Sequence, residues 1–195
     1  FLGVKANADN ERDSLMALSF GAEGIGLCRT EHMFFDDTRI TDVRRFIIAN
    51  DLAERELALE KLLPHQLKDF TEIFNAMDGK TVCIRLLDPP LHEFLPQEDE
   101  VDEVAAKLDI TPDRLHRALE TLHEFNPMLG HRGCRLGVSY PELSVMQTKA
   151  IIMAAINVTK AGKVVKPEIM VPLISTIKEL TYLTEYIRET ADALI

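Results

Sequence analysis

Short apolar runs alternate with longer segments of helical spacing along most of this chain. A continuous apolar run of about four to eight residues, bounded by glycine, proline or charge, is typical of a buried β-strand. The runs that predict strands are residues 3–7, 25–28, 81–88, 131–137 and 169–174. Two of these runs have a charged side chain at or directly after the last residue, Arg29 after 25–28 and Asp88 in 81–88, which a strand buried along its whole length would not need.

The segments between these runs predict amphipathic helices. Apolar residues three and four positions apart form one buried stripe on a helix. In residues 67–77 the stripe consists of Leu67, Phe70, Ile73, Phe74 and Met77. Pro64 is expected to separate this helix from a preceding one over residues 41–62, because proline removes a backbone donor and crowds the preceding turn.

Capping signals mark where three further helices begin. A Ser or Thr followed three residues later by Glu forms a capping box, and a Thr before Pro is a typical helix start. The signals are Thr111 before Pro112, Ser139 with Glu142, and Thr176 with Glu179. With these helices the chain has five strand–helix units in alternation. Such alternation predicts an α/β fold with a parallel sheet, either open and doubly wound or closed as a barrel.

Composition restricts the classes of function. The chain has 195 residues, 46% of them hydrophobic, which suits one or two globular domains. Its net charge of −10 argues against nucleic acid and anionic membranes as partners, and no run is apolar enough for a transmembrane helix. Three cysteines in apolar stretches, Cys28, Cys83 and Cys134, predict buried reduced thiols and a cytosol-like compartment.

Arginine recurs at or near the ends of three predicted strands. These residues are Arg29, Arg85 and Arg132. The carboxyl ends of parallel strands meet at one edge of a sheet, so the three side chains are expected to converge there. Arginine donates paired hydrogen bonds that suit phosphate and carboxylate, so the pattern predicts a site for a multiply charged anion. Asp88 could orient one of these arginines or help to hold a metal, and a salt bridge or a turn cap is favoured over the metal role.

Other kinds of site have little support in the sequence. The histidines have no zinc spacing, there is no glycine-rich nucleotide loop, and no serine lies in a nucleophile elbow. The residues alone therefore indicate an anion-binding α/β domain without a complete set of catalytic groups or a metal site.

Four segments resemble the pyruvate, phosphate dikinase branch of the phosphoenolpyruvate-utilising enzymes, in the same order and over the whole chain. Residues 24–35 read GIGLCRTEHMFF, residues 85–96 read RLLDPPLHEFLP, residues 126–137 read NPMLGHRGCRLG, and residues 168–173 read EIMVPL. Shorter forms of these motifs also occur in phosphoenolpyruvate synthase and in enzyme I of the sugar phosphotransferase system. Residues 88–96 and the insertion after them favour the dikinases.

The resemblance implies a (β/α)8 barrel of the TIM-barrel type that binds phosphoenolpyruvate or pyruvate at the carboxyl ends of its strands. In that family a phosphohistidine on a separate domain exchanges its phosphoryl group with pyruvate. The whole enzyme converts ATP, pyruvate and phosphate to AMP, phosphoenolpyruvate and diphosphate. By position, Arg29 and Arg85 match the arginines that bind the transferred phosphoryl group. Arg132 matches another arginine of the same pocket.

The same resemblance predicts that the chain is the first part of such a domain. Residues 1–195 would hold about the first five strand–helix units, with insertions at 31–66 and 89–125. The family's Mg²⁺ ligands and its proton-transferring cysteine would lie beyond Ile195, and the phosphohistidine and ATP-grasp domains before Phe1. This chain alone is then expected to be inactive, and its open sheet edges favour self-association or a homodimer.

Two alternatives remain open from the sequence. One is another enzyme of the family, either phosphoenolpyruvate synthase or enzyme I of the phosphotransferase system. The other is a non-catalytic module that retains the barrel and its anion site. A cytoplasmic location is expected, with a plastid or glycosome possible in a eukaryote.

Overall fold

A computed structural model describes residues 2–195 and contains a four-stranded parallel sheet with helices packed on it. The strands are β1 (Ala6–Asn7), β2 (Gly24–Arg29), β3 (Thr81–Arg85) and β4 (Lys166–Met170). They lie side by side in chain order, and each neighbouring pair is parallel. The predicted α/β class with a parallel sheet is therefore confirmed.

Helices connect every pair of strands. They are α1 (Glu11–Ser19), α2 (Glu31–Phe34), α3 (Ile40–Ile48), α4 (Leu52–Ala76), α5 (Val101–Leu108), α6 (Pro112–Leu122), α7 (Cys134–Ser139), α8 (Pro141–Lys160) and α9 (Ile177–Asp192). Two 3-10 turns, Leu91–Phe94 and Glu98–Glu100, precede α5. Within residues 2–195 none of these helices is both long enough and apolar enough to cross a membrane.

The main core lies between one face of the sheet and the long helices α4 and α8. Ile25 of β2 and Ile84 of β3 are fully buried there, against Phe70 of α4 and Ile151 of α8. The opposite face is more open, because Glu168 of β4 is exposed. Two smaller apolar clusters stabilise the helical segments between β2 and β3 and between β3 and α8.

The predicted strand at residues 131–137 is wrong, so the described chain has four strands and not five. Gly133 has a φ of +56°, which interrupts an extended backbone, and α7 begins at Cys134. The Gly133 N–H donates to the Asp88 carbonyl at 3.0 Å and the Cys134 N–H donates to the Pro172 carbonyl at 2.9 Å. These single bonds tie the segment to the residues that follow β3 and β4, in place of a strand ladder.

Contrary to prediction, Pro64 does not separate two helices. It lies inside α4, which is 25 residues long. Proline removes only one backbone donor. The helix buries Leu62 and Phe70 on either side of Pro64 along one face. Packing of that face supplies most of the stability of a helix in a folded protein, and it outweighs the local loss.

One of the two capping boxes forms and the other does not. Thr176 and Glu179 bond reciprocally at the start of α9, as predicted. At the start of α8, Tyr140 occupies the N-cap and no side chain caps the helix. Glu142 pairs instead with Arg55 of α4, at 2.5 Å between Oε1 and Nε. A tertiary ion pair has therefore replaced the expected local one.

Candidate anion-binding site

Arg29 and Arg85 lie side by side at the carboxyl ends of neighbouring strands. Each is the last residue of its strand, and the two are partners in the register of β2 and β3. Residues paired in a parallel ladder project from the same side of the sheet. The predicted meeting of these two strand ends is therefore present in the structure.

Asp88 joins the second and third arginines. Its Oδ2 lies 3.0 Å from Arg85 Nη1 and 2.7 Å from Arg132 Nη2. The Asp88 side chain is 6% exposed, and each of the two arginine side chains is 20% exposed. A carboxylate shared by two guanidinium groups in this degree of burial restrains both of them.

Arg132 reaches the site from a loop rather than from a strand end. The hydrogen bond from Gly133 to the Asp88 carbonyl brings this loop beside the end of β3. A Cβ at position 133 would lie 2.9 Å from Leu173 Cβ, closer than such atoms approach in folded proteins. Glycine at 133 is therefore needed for both its φ angle and the close approach.

Glu31 holds Arg85 from the other side and was not identified from the sequence. Its Oε1 accepts a hydrogen bond from Arg85 Nη2, and the residue is 7% exposed. Glu31 lies two residues after Arg29 in the motif at 24–35, which is the only signal the sequence offered. Arg85 is thus fixed between two carboxylates, Glu31 and Asp88.

Arg29 differs from the other two arginines. Its backbone N–H donates to Asp9 Oδ1 at 2.6 Å, and Asp9 Oδ2 lies 2.7 Å from His32 Nδ1. Among residues 2–195 its guanidinium group has no hydrogen bond and no ion pair within 4.0 Å. The main chain of Arg29 is therefore fixed, whereas its charge is free to meet a ligand.

The site has hydrogen-bonding capacity that residues 2–195 do not use. Four buried side-chain atoms have no protein partner: Glu31 Oε2, Arg85 Nε, Asp88 Oδ1 and Arg132 Nε. Buried polar atoms are normally paired, so a cluster of unpaired ones indicates a site for another molecule. Three guanidinium groups meet here on a chain whose total charge is −10, with the carboxylates of Glu31 and Asp88 paired to two of them and Asp9 bonded to the main chain of Arg29. The arrangement is therefore suited to an anion.

The thiols do not provide a nucleophile or base. Cys28, Cys83 and Cys134 are all free and buried, as predicted. Burial raises the pKa of each thiol above the ordinary value of 9.0, most strongly for Cys28. The Cys134 Sγ donates to the Leu173 carbonyl at 3.0 Å. A thiol that stays protonated at neutral pH is a weak nucleophile.

The described residues do not fit a divalent metal ion. Between residues 2 and 195 there is no group of three or more His, Cys, Asp or Glu side chains placed to hold one. The two carboxylates of the site, Glu31 and Asp88, are already paired with arginines.

Comparison with known proteins identifies the family to which the chain is similar. Residues 2–195 match the family described as "PEP-utilising enzyme, PEP-binding domain". The chain is 55% identical over 194 residues to a pyruvate, phosphate dikinase of Rhizobium meliloti (strain 1021), covering 98% of this chain and 22% of that protein. It is 55% identical over 195 residues to pyruvate, phosphate dikinase 2 of Oryza sativa subsp. japonica, with 98% and 22% covered.

A third relative agrees with the first two. The chloroplastic pyruvate, phosphate dikinase of Flaveria trinervia is 54% identical over 194 residues, covering 97% of this chain and 20% of that protein. The chain thus spans about a fifth of the length of the curated relatives it matches. These matches confirm the resemblance that the four motifs indicate.

Proposed function

The chain belongs to the family of PEP-utilising enzymes, as their PEP-binding domain, and from this premise we propose that Arg29, Arg85 and Arg132 bind phosphoenolpyruvate or pyruvate. The observation that carries the proposal is the placement of Arg29 and Arg85 at paired strand ends, with Asp88 connecting Arg85 to Arg132. Phosphoenolpyruvate carries a phosphate and a carboxylate, and both suit the planar fork of arginine.

The free guanidinium of Arg29 and the restrained one of Arg85 bind the phosphoryl oxygens. Charge on these oxygens changes as the phosphoryl group passes between donor and acceptor, and fixed cations stabilise it without reorganising. The phosphorus–oxygen bond of phosphoenolpyruvate breaks as a bond from phosphorus to a histidine nitrogen forms. The electron pair of the broken bond stays on the oxygen, which leaves as the enolate of pyruvate and gains a proton at carbon to give pyruvate; the reverse reaction removes that proton and re-forms the phosphorus–oxygen bond. Arg132 completes the pocket, with Asp88 holding its guanidinium in place.

The protein as a whole is proposed to be a pyruvate, phosphate dikinase, a phosphotransferase. The names of the similar proteins support this enzyme over phosphoenolpyruvate synthase and enzyme I. The histidine that carries the phosphoryl group and the ATP-grasp domain would be partners outside residues 1–195. These residues would form the first portion of a (β/α)8 barrel, with insertions at 31–66 and 89–125. The order of the four parallel strands is compatible with a barrel.

Mg²⁺, which the resemblance implies, has no set of ligands among residues 2–195. The arginines by themselves are proposed to supply the affinity of this part of the site for the anion.

Calorimetric titration with phosphoenolpyruvate tests the proposal. We expect weak binding that is the same with Mg²⁺ and with a chelator, and that is lost in Arg29→Ala and Arg85→Ala. Arg117→Ala is the control, because Arg117 is exposed on α6 and its side chain bonds only to the Asp113 carbonyl of its own helix. Equal loss of affinity in Arg117→Ala, or full affinity in Arg29→Ala, would contradict the assignment.

A further inference from the structure

A buried chain of hydrogen bonds connects helix α8 to the two arginine-bearing strand ends. The Leu87 N–H donates to Gln147 Oε1 at 2.9 Å, and Gln147 Nε2 donates to Thr30 Oγ1 at 3.0 Å. Thr30 Oγ1 in turn donates to the Arg85 carbonyl at 3.0 Å. Thr30 is 0% exposed and Gln147 is 1% exposed, so solvent does not compete for these bonds.

The direction of each bond is determined by its partners. The Leu87 N–H can only donate, so the oxygen of the Gln147 amide must face it and the nitrogen must face Thr30. The hydroxyl of Thr30 then accepts from Gln147 and donates to the Arg85 carbonyl. Each member has one arrangement that satisfies the others, and a satisfied buried network of this kind favours a single local structure.

The chain of bonds acts where the strand ladder stops. The last pairing between β2 and β3 is that of Arg29 with Arg85. Thr30 follows the first of these residues directly, and Leu87 lies two residues after the second. Beyond the ladder, the Thr30 hydroxyl and the Gln147 amide tie these two chain ends together through their backbones. The Glu31–Arg85 ion pair joins the same two chain ends through side chains.

We infer that Thr30 and Gln147 are positioning residues that set the spacing of the Arg29 and Arg85 guanidinium groups for the anion. This inference rests on the proposed function of those arginines. Neither side chain reaches the open side of the sheet, so both act through the backbone that carries the arginines. A displacement of about 1 Å in a functional group can lower the rate of a reaction by up to about a hundredfold. Buried residues that fix the positions of the arginines can therefore have a large effect.

The chain offers a closely matched control. Thr148, next to Gln147 on α8, is also 0% exposed, and its Oγ1 donates to the Ser144 carbonyl at 2.7 Å within the same helix. Thr30→Val and Thr148→Val each replace one buried hydroxyl by a methyl group of similar size. Only the first change interrupts the connection to the arginines. Thr30→Ser keeps the hydroxyl and tests rescue, and Gln147→Met keeps the side-chain length without its hydrogen bonds.

Two measurements on the gene product expressed in full distinguish the inference from the proposed function. The first is the dissociation constant for phosphoenolpyruvate by calorimetry, with denaturation midpoints recorded for every variant. We expect Thr30→Val and Gln147→Met to weaken binding about tenfold or more. Thr30→Ser and Thr148→Val should stay within about twofold of the parent, although Thr148→Val should lower the denaturation midpoint as Thr30→Val does.

The second measurement needs no substrate: the rates at which phenylglyoxal labels Arg29 and Arg85, read by peptide mass spectrometry. In the parent, Arg85 should react more slowly than Arg29, because two carboxylates hold it. Thr30→Val and Gln147→Met should reduce this difference, and Thr148→Val should preserve it. The inference would be overturned if Thr30→Val and Gln147→Met both left the labelling rates unchanged. It would also be overturned if Thr30→Val and Thr148→Val lost affinity equally. Altered labelling in a protein whose parent does not bind phosphoenolpyruvate would overturn only the proposed function.

Discussion

Removing Arg29 and removing Arg85 should have different effects on stability, although both should weaken binding of the proposed substrate. The two residues occupy paired positions at the ends of β2 and β3. Arg85 lies between Glu31 and Asp88, whereas the Arg29 guanidinium has no protein partner within residues 2–195. Comparing the two alanine variants therefore separates the contribution of an arginine to stability from its contribution to binding.

The size of the difference follows from burial. Removing one partner of a buried ion pair costs about 3–5 kcal/mol, because the remaining charge is left uncompensated. The Arg85 side chain is 20% exposed and its two partners are 9% and 6% exposed, so water screens the interaction in part. We therefore expect Arg85→Ala to lower the free energy of unfolding by about 2–4 kcal/mol. For Arg29→Ala we expect a loss below about 1 kcal/mol, since no ion pair is broken.

Loss of affinity should be similar for both variants. Hydrogen bonds to charged groups contribute about 1.5–3 kcal/mol each, which corresponds to roughly 10- to 100-fold in a dissociation constant. Urea denaturation gives the free energies of unfolding, and calorimetry with phosphoenolpyruvate gives the affinities. If Arg29→Ala destabilises the protein as much as Arg85→Ala, the claim that Arg29 is structurally unpaired is refuted.

Three further predictions concern charge, pH and association. Asp88→Asn should lower the free energy of unfolding by about 1–3 kcal/mol in urea denaturation, because the amide keeps an acceptor for Arg85 and Arg132 but loses the negative charge; an unchanged value would contradict the shared ion pair. Because burial raises the pKa of Cys28 above the ordinary thiol value of 9.0, the unfolded state loses this proton first, and the free energy of unfolding should fall as pH rises above about 9, by up to about 1.4 kcal/mol per pH unit for each such thiol. Cys28→Ala should weaken that dependence, and a pH profile identical to the parent would argue against it. The free edge of β4, which pairs only with β3, should promote self-association visible as a concentration-dependent sedimentation coefficient; a compact monomer at high concentration would count against it.

Local signals in the sequence were sufficient wherever neighbouring residues determine the structure. The capping box of Thr176 and Glu179 forms because both partners lie within one turn. The meeting of Arg29 and Arg85 was predictable for a similar reason, since parallel strands necessarily bring their carboxyl ends to one edge. Asp88 was singled out because it lies three residues after Arg85, and the structure places its Oδ2 3.0 Å from Arg85 Nη1.

Errors arose where tertiary contacts overrode a local signal. Ser139 and Glu142 have the spacing of a capping box, yet Glu142 finds a better partner in Arg55 on another helix. Residues 131–137 contain enough apolar residues for a strand, but hydrogen bonds from Gly133 and Cys134 to two different loops hold them in another shape. No pattern within such a segment reveals bonds to residues about 40 positions away.

The residues that sequence reasoning missed share this dependence on distant partners. Glu31 meets Arg85 across 54 residues, and Gln147 meets Thr30 across 117. A glutamine in the apolar stripe of a helix has no signature of its own, since its role exists only once α8 lies behind the ends of β2 and β3. The sequence could therefore locate the charges of the site but not the groups that orient them.

The balance of charge in the site suits a ligand that must be released as well as bound. Asp88 and Glu31 offset two of the three guanidinium charges, so a bound dianion would meet one free cation, Arg29, and would share Arg85 and Arg132 with carboxylates already present. Three unpaired arginines would bind the ground state of phosphoenolpyruvate and the transferring phosphoryl group alike, and uniform tight binding does not accelerate a reaction. Arginines that are oriented by carboxylates and partly neutralised by them retain the geometry needed for the transition state while keeping the affinity for substrate modest. The two carboxylates are therefore part of the proposed function of the site as much as the arginines are.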